Sequence, residues 1–174
     1  MIAVGAIPGS VQIVEHVPDA FANWCASHPF ESFAISGGDT ARRCYEQLAV
    51  TNNIAWETIE VYISDERWVP VDDGDSNEGM ARFACLDGVR PKAIHSLRHA
   101  AGGHGDIHAA ADAYDALLRE RLPVDVVHLG FGGDGHTASL FPNSPACQVT
   151  DRYVVATGDD LHPWPRLTWT FPAI

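Results

Sequence analysis

SFAISGGDT, residues 32–40, is the stretch that decides the fold of this chain. Its first five residues form a short apolar run that is typical of a buried strand, and Gly37 and Gly38 then turn the chain. Apolar side chains at Tyr45 and Leu48 follow with the spacing of a helix. The stretch therefore predicts a strand, a glycine turn and a helix in direct succession.

The same alternation of strand and helix continues on both sides of this unit. Apolar, β-branched runs predict further strands, and a helix after Pro18 would place Phe21, Trp24 and Cys25 on one face. The predicted strands are 11–15, 32–36, 58–64, 124–130, 152–157 and 166–171, and the later helices are 76–86 and 106–121. This order is typical of one α/β domain over residues 1–174, with a largely parallel sheet and its ligand beyond the carboxyl ends of the strands.

The charge of the chain excludes several classes of partner. Its 174 residues carry 11 Lys and Arg against 23 Asp and Glu, which gives a net charge of −12. Nucleic acid and anionic membrane surfaces are therefore not expected as partners, because both are bound mainly through basic side chains. An anionic small molecule would have to be held locally, by backbone N–H groups or a few well-placed arginines.

The sequence also favours a cytoplasmic location and reduced cysteines. It contains no run of about 18 apolar residues, as a membrane span would need, and no basic segment of a secretory signal. The four cysteines are far apart and form no CxxC pair, which favours buried thiols over disulfides. They are Cys25, Cys44, Cys85 and Cys147.

A first candidate site is the glycine turn after the opening strand. Gly37 and Gly38 let the backbone turn tightly, and N–H groups of the helix start, with the hydroxyls of Ser36 and Thr40, would cradle an anion. A plain turn in which Asp39 or Thr40 is the helix N-cap explains the same residues. Both interpretations stay open on this stretch alone.

A second candidate is the triplet Asp65-Glu66-Arg67, at the carboxyl end of a predicted strand. Two acids and an arginine in that position suit proton transfer and anion binding. The alternative is a solvated charge cluster of little functional consequence. The Asp-Ser-Asn run at 75–77 is most simply the N-cap of the helix predicted at 76–86.

A third candidate is GFGGDGHT, residues 130–137, directly after the strand at 124–130. Its glycines match the GxGxxG fingerprint of dinucleotide-binding domains, but that fingerprint usually lies in the first βαβ unit and this one lies late in the chain. We interpret the glycines instead as a close backbone approach to a ligand, which presents Asp134 and His136. A histidine two residues from an aspartate at a strand end suits general base catalysis near neutral pH.

Four histidines, at 95, 99, 104 and 108, raise the question of a metal site. On one helix face His104 and His108, with Asp112 four residues further on, would suit zinc. Gly102 and Gly103 interrupt this stretch, however, and the histidines are more typical of a loop and an exposed helix start. We therefore expect no metal in this protein.

Taken together, the motifs resemble those of the 6-phosphogluconolactonases, in the wider glucosamine-6-phosphate isomerase/deaminase superfamily. The similarity lies in FAISGGDTARRCYEQL (33–48), VYISDERWVPVDDGDSNEGMAR (61–82), LGFGGDGHTASLFP (129–142) and PRLTWT (165–170), in the family's order. It implies a Rossmann-like, mostly parallel sheet flanked by helices. It also implies hydrolysis of 6-phospho-glucono-1,5-lactone to 6-phosphogluconate in the oxidative pentose phosphate pathway, with no cofactor.

The resemblance further implies a role for each matching residue. His136 would take the proton from the attacking water, and Asp134 would orient the histidine. Asp65 would line the site, and Arg67 would bind the substrate or offset its charge. The 6-phosphate would be held by Ser36, Gly37, Gly38, Thr40 and Arg166.

The chain departs from the family pattern at three places. Asp39 and Ala41 stand where the phosphate loop usually has Ser and Pro. A Leu-His-Pro run at 161–163 stands where a Lys-Pro pair often precedes the arginine strand. Relatives usually continue past the strand at 166–171, so we expect the chain, which ends at Ile174, to be short at its C-terminus.

Other functions stay open beside the lactonase. The sister activity is an amino-sugar phosphate deaminase-isomerase, but Arg67 and the sequence TASLFP at 137–142 favour the lactonase. A non-catalytic sugar-phosphate sensor would normally carry a DNA-binding helix-turn-helix, and no basic segment here offers one. A folded but inactive remnant is the third alternative. Monomer and homodimer are equally compatible with the sequence.

Overall fold

The computed structural model describes residues 9–98, 105–158 and 163–174, which form two sheets and five helices. A π-helical turn at Arg82–Leu86 joins the third helix to the fourth. Along the chain the elements are α1 (Val17–Ser27), β1 (Ser32–Ile35), α2 (Asp39–Val50), β2 (Glu60–Ile63), β3 (Asp65–Arg67), α3 (Asn77–Ala81), α4 (Asp87–Val89), β4 (Ala93–His95), α5 (Ile107–Arg121), β5 (Val126–Val127), β6 (Val154–Thr157) and β7 (Arg166–Trp169).

The parallel sheet that the sequence predicts is present, in the order β4-β2-β1-β5. At its centre β1 pairs in parallel with β2, with Ser32 opposite Glu60 and Ile35 opposite Ile63. The inner residues of both strands are buried, as expected for a strand covered on both faces. The strand predicted at 124–130 is much shorter, because only Val126 and Val127 pair with β1.

A second sheet of three antiparallel strands, in the order β3-β7-β6, was not expected from the sequence. The prediction of a largely parallel sheet therefore holds for four of the seven strands. Ser64 joins the two sheets, since its N–H donates to Ile35 of β1 and its carbonyl accepts from the Trp169 N–H of β7, both at 2.8 Å. The chain thus passes from β2 of one sheet into β3 of the other within one residue.

The helices bury one face each, as their apolar spacing predicts. In α2 the buried side chains include Cys44, Tyr45 and Leu48, and in α5 they include Tyr114 and Leu118. The first helix packs against α2, and α5 packs against β6. The start of α3 follows the cap predicted at 75–77, since the Ser76 hydroxyl accepts from Gly79 N–H. At the start of α5, Asp106 accepts from His108 N–H, a cap that was not predicted.

The strand predicted at 11–15 is wrong. These residues form no ladder with any described strand, and the side chains of Val11 and Ile13 are 93% and 99% exposed. The alternation of apolar and polar residues meets the local requirement for a strand, but a strand also needs a neighbour with which to exchange backbone hydrogen bonds. The chain enters α1 instead, with Pro18 in the first turn of that helix.

The predicted face of α1 is only partly correct. Cys25 is buried and Phe21 packs against the core, but Trp24 is 41% exposed and stacks on His28 at the surface. All four cysteines are free, as expected, and three of them are buried whereas Cys147 is half-buried. No helix in the described residues is both long and apolar enough to cross a membrane.

Candidate active site

A cleft of about 530 Å³ opens at the carboxyl ends of the parallel strands, where the sequence predicts a ligand. Its wall combines the turn after β1, the residues after β5, and side chains from β3 and β7. Eight of the nine predicted site residues line it, and they are Ser36, Gly37, Gly38, Thr40, Asp65, Arg67, His136 and Arg166. The ninth, Asp134, contacts the ring of His136.

The glycine turn after β1 requires both of its glycines. Gly38 has φ = +100°, a conformation that side chains disfavour, and it occupies the N-cap position of α2 without any side-chain capping bond. A Cβ on Gly37 would lie 1.9 Å from Asn77 Oδ1, so the turn and α3 approach too closely for a side chain. The alternative in which Asp39 or Thr40 is the N-cap of α2 is therefore wrong. The start of α2, from Gly38 to Ala41, lines the cleft.

Asp39 is turned to the arginines of its own helix. Its carboxylate pairs with Arg42 at 2.7 Å and with Arg43 at 2.9 Å. The hydrogen bond from Arg42, helped by the charge of Arg43, lowers the pKa of Asp39. The negative charge beside the turn is thus offset by two positive charges, and it does not exclude an anion from the cleft.

Strand alternation divides the Asp65-Glu66-Arg67 triplet between two faces of β3. In the antiparallel register Asp65 lies opposite Thr168 and Arg67 lies opposite Arg166, so these four side chains share the cleft face. Two arginines beside one buried acid give this face an excess of positive charge. This face of the second sheet therefore favours a negatively charged ligand.

Asp65 is the buried acid of this face. Burial raises the pKa of its carboxyl, against the opposing effects of the Ser139 hydroxyl and of both cleft arginines. Ser139 Oγ donates to Asp65 Oδ2 at 2.7 Å, and Ser139 N–H donates to Thr168 Oγ1 at 3.1 Å. Ser139 was not predicted as a site residue, and its place in the TASLFP stretch was its only sequence signal.

Glu66 points the other way and holds the start of α3. Its carboxylate accepts the N–H groups of Asn77 and Glu78 at 2.7 and 2.8 Å, and the Ser76 hydroxyl at 2.9 Å. This anchors Asn77, whose Oδ1 accepts from Arg67 Nη1 at 2.6 Å. Asn77 also lines the cleft, a role that the sequence analysis missed because it assigned the residue to a helix cap.

The His136–Asp134 pair lies on the glycine-rich loop after β5. His136 Nδ1 is 2.5 Å from Asp134 Oδ1, and the same oxygen accepts the His136 backbone N–H at 3.2 Å. The hydrogen bond from His136 lowers the pKa of Asp134. Because an ionised carboxylate can only accept, Nδ1 carries the proton and Nε2 is the basic nitrogen of the neutral ring.

Gly132 makes room for this pair. A Cβ at that position would lie 2.3 Å from the Nδ1 and Cε1 atoms of the His136 ring and 2.6 Å from Asp134 Oδ1. By contrast, a Cβ on the adjacent Gly133 would meet no atom within 4 Å. The loop closes on itself through a bond from Gly132 N–H to the His136 carbonyl at 2.8 Å. The close approach that the structure shows is that of Gly132 to the side chains of His136 and Asp134, and the expected approach of these glycines to a ligand stays a prediction.

The described residues give no metal site. His99 and His104 lie outside the described ranges, whereas His95 hydrogen-bonds Glu60 at 3.0 Å in a cluster of ion pairs. No group of three or more His, Cys, Asp and Glu side chains within residues 9–98, 105–158 and 163–174 could hold a metal ion. The chemistry available in the cleft is that of a histidine–aspartate pair beside two arginines, a buried acid and a helix start.

These features define a class: an α/β protein with a small-molecule site at the carboxyl end of a parallel sheet, equipped for an anionic ligand and for proton transfer. Residues 10–174 match the family of glucosamine-6-phosphate isomerases/6-phosphogluconolactonase. The chain belongs to this family.

Relatives in the family share the sequence along most of this chain. A 6-phosphogluconolactonase of Synechocystis sp. is 43% identical over 153 residues, which cover 82% of this chain and 61% of the relative. The 6-phosphogluconolactonase of Nostoc sp. is 39% identical, with the same two coverages. The chain thus spans about 60% of the length of these curated relatives.

Solved structures agree with this assignment. The 6-phosphogluconolactonase of Trypanosoma brucei superimposes with a TM-score of 0.76 at 27% identity, covering 93% of this chain and 76% of that one. The 6-phosphogluconolactonase of Thermotoga maritima gives the same TM-score at 26% identity, covering 92% and 76%. The fold expected from the resemblance, a parallel sheet flanked by helices, is confirmed.

Proposed function

We propose that this chain hydrolyses 6-phospho-glucono-1,5-lactone to 6-phosphogluconate, the reaction of the oxidative pentose phosphate pathway that the resemblance implies. Family membership and the names of the relatives support the substrate class. The observation that carries the proposal is the presence, in one cleft, of a histidine–aspartate pair and a pair of facing arginines. The first suits activation of water, and the second suits a phosphorylated substrate.

The substrate phosphate binds at the start of α2 in this proposal. Backbone N–H groups of a helix start carry partial positive charge, and Ser36 and Thr40 add hydroxyl donors. Arg166 supplies a fixed charge whose planar fork engages two phosphate oxygens. With a net charge of −12, the chain has to concentrate this positive potential within the cleft.

The lactone ring then lies toward the glycine-rich loop. His136 Nε2 takes a proton from water as the water oxygen attacks the C1 carbonyl, and the carbonyl oxygen acquires negative charge. Arg67 and nearby N–H donors stabilise that oxyanion. As the tetrahedral intermediate collapses, the bond from C1 to the ring oxygen breaks and that oxygen takes the proton from His136. Asp134 stabilises the His136 ring while it carries the second proton, between attack and collapse.

The remaining assignments follow from this chemistry. Water attack on an activated ester needs only proton transfer and charge stabilisation, so the proposal includes no cofactor and no metal. Asp65 lines the cleft as the acid that balances the two arginines.

The acidic net charge of the chain speaks against nucleic acid as a partner. A cytoplasmic location is part of the proposal, and its partner is the sugar-phosphate lactone.

The test is a lactonase assay on purified protein with freshly prepared 6-phosphogluconolactone, corrected for spontaneous hydrolysis. His136→Ala should lower kcat by about 10²- to 10⁴-fold, the usual contribution of a positioned general base. His28→Ala is the matched control, since that histidine is exposed, directly after the last residue of α1, and its replacement should leave the rate unchanged.

Each outcome bears on a different part of the proposal. Equal activity in the wild type and His136→Ala would refute the assignment of His136. A folded wild-type chain with no lactonase activity would refute the proposal that the chain is a lactonase. It would favour a non-catalytic sugar-phosphate sensor or an inactive remnant. Release of ammonia from glucosamine 6-phosphate, without lactone hydrolysis, would favour the deaminase-isomerase.

A further inference from the structure

His128 lines the cleft but has no part in the mechanism above. It follows β5 directly, and its backbone N–H donates to the Ala34 carbonyl of β1 at 2.9 Å, which fixes the position of its Cα. The ring stacks on Phe21, with 4.6 Å between the ring centroids. The side chain is therefore held in one orientation between the anion cradle after β1 and the glycine-rich loop.

The hydrogen bonds of Tyr45 determine which ring nitrogen of His128 carries the proton. The phenolic oxygen of this buried tyrosine lies 3.0 Å from Ser36 N, 3.0 Å from Ser36 O and 2.9 Å from His128 Nδ1. Ser36 N–H donates to the phenol, and the single phenolic proton donates to the Ser36 carbonyl, which can only accept. The third contact is then satisfied when His128 Nδ1–H donates to the phenol, so the lone pair of the ring is on Nε2.

The ring is also uncharged. Burial lowers the pKa of His128 to about 4, so its neutral form predominates across the physiological range. Among the described residues, the only hydrogen bond of its side chain is the one to Tyr45. A neutral Nε2 repels phosphate oxygens but accepts a hydrogen bond from a hydroxyl group. Its chemistry thus differs from that of Arg67 and Arg166, which are placed for the anionic parts of a ligand.

We infer that His128 is a specificity-determining residue, whose Nε2 accepts a hydrogen bond from a sugar hydroxyl while the phosphate of the same ligand occupies the cradle after β1. This inference rests on the proposed function for its ligand class, a phosphorylated polyhydroxy compound. Tyr45 acts through His128 as a positioning residue, because it holds both the tautomer of the ring and the backbone of Ser36.

Calorimetric binding of two probes separates hydroxyl recognition from phosphate binding. Inorganic phosphate reports on the cradle alone, and 6-phosphogluconate reports on the cradle together with the hydroxyl groups. In His128→Phe, which keeps an aromatic ring beside Phe21 but removes the acceptor, the affinity for 6-phosphogluconate should fall about fivefold to tenfold. The affinity for inorganic phosphate should stay within about twofold of wild type.

Two controls are needed: a variant that keeps a hydrogen-bond acceptor at position 128, and a check that every variant is folded. His128→Gln keeps a hydrogen-bond acceptor and should recover most of the lost affinity for 6-phosphogluconate. Circular dichroism verifies that each variant is folded. If His128→Phe does not fold, the same two probes applied to His128→Gln and His128→Leu give the comparison.

Two results would overturn the inference: no loss for either probe, or an equal loss for both, which would mean that His128 only shapes the cradle. A wild-type chain that binds neither probe would overturn it as well. The inference and the proposed function fail separately. A chain that shows the His128-dependent preference without hydrolysing the lactone would refute the enzyme alone, whereas an active lactonase without the preference would refute the inference alone.

Discussion

Replacing Gly132 by alanine places a methyl group where the His136 ring now lies. The new Cβ would be 2.3 Å from two ring atoms, and ordinary contact begins at 3.4 Å, so the ring has to move by about 1.1 Å. Asp134 Oδ1, at 2.6 Å from the same Cβ, has to move with it. A displacement of about 1 Å at a reacting group costs about 10²-fold in rate, and we expect a loss of that size in kcat.

The stability of Gly132→Ala should be almost unchanged. The clash is with the ends of two partly exposed side chains that can rotate away, whereas a clash with buried backbone could not be relieved in this way. The free energy of unfolding is therefore expected to stay within about 0.5 kcal/mol of wild type. Loss of activity without loss of stability distinguishes a displaced histidine from a damaged fold.

The assay compares kcat and KM for lactone hydrolysis, and urea unfolding, in wild type, Gly132→Ala and Gly133→Ala. The second variant adds the same methyl group one residue along the same loop, where it meets no atom within 4 Å. Gly133→Ala should hydrolyse the lactone at the wild-type rate. Activity of Gly132→Ala within about threefold of wild type would refute the argument, and an equal loss in both variants would assign the effect to the loop backbone.

Two further predictions concern stability. Glu60 pairs with Lys92, His95 and Arg121, and the hydrogen bonds from Lys92 and His95 lower its pKa from 4.5 to about 2. The native state therefore favours the charged form, and its stabilisation is complete above pH 4.5 and lost as the pH falls toward 2. Glu60→Gln should cost about 1–2 kcal/mol in urea unfolding at pH 7, and much less near pH 2; a cost that does not depend on pH would contradict this. Ser76→Ala removes the N-cap of α3 and should lower the free energy of unfolding by about 1–2 kcal/mol, whereas Ser27→Ala, at the exposed end of α1, should cost under about 0.5 kcal/mol. Equal costs for the two serine variants would mean that the Ser76 cap does not stabilise the fold.

The unit from β1 to α2 could be predicted from the sequence because its signals are local. An apolar run, two glycines and apolar residues at helical spacing lie within 32–50, and each signal indicates its element without help from distant residues. The same is true of α5, where Asp106 caps a helix that ends at Arg121. Fold class and the place of the cleft follow from such units by the rules of parallel sheets.

The second sheet could not be predicted in the same way, because it is made by distant partners. Strand β3 has only three residues, all charged, and it forms because β7 lies about 100 residues later in the sequence and pairs with it. At 11–15 the local pattern is that of a strand and no partner is present among the described residues. In both places a strand forms only where a second strand, distant in the sequence, is there to pair with it.

The site residues show the same division. Gly37 was predicted from its effect on the turn, yet the reason for a glycine there is the side chain of Asn77, 40 residues later. Asn77 and Ser139 were not predicted as site residues, because their roles depend on partners that the fold supplies: Asn77 bonds Arg67, and Ser139 bonds Asp65, 74 residues away in the sequence. From the sequence His128 belongs to the apolar strand at 124–130, because Phe21 and Tyr45, which orient its ring, lie on other elements.

The junction at Ser64 has a consequence for the energetics of binding. The cradle after β1 belongs to the parallel sheet, and the facing arginines belong to the antiparallel one. Within residues 9–98, 105–158 and 163–174, Ser64 carries the backbone hydrogen bonds between the two sheets. A phosphorylated ligand bound by both the cradle and the arginines would connect the two sheets at a second place. Its binding free energy would therefore oppose separation of the two sheets, so ligand would raise the unfolding temperature of the domain as a whole and not only order its loops.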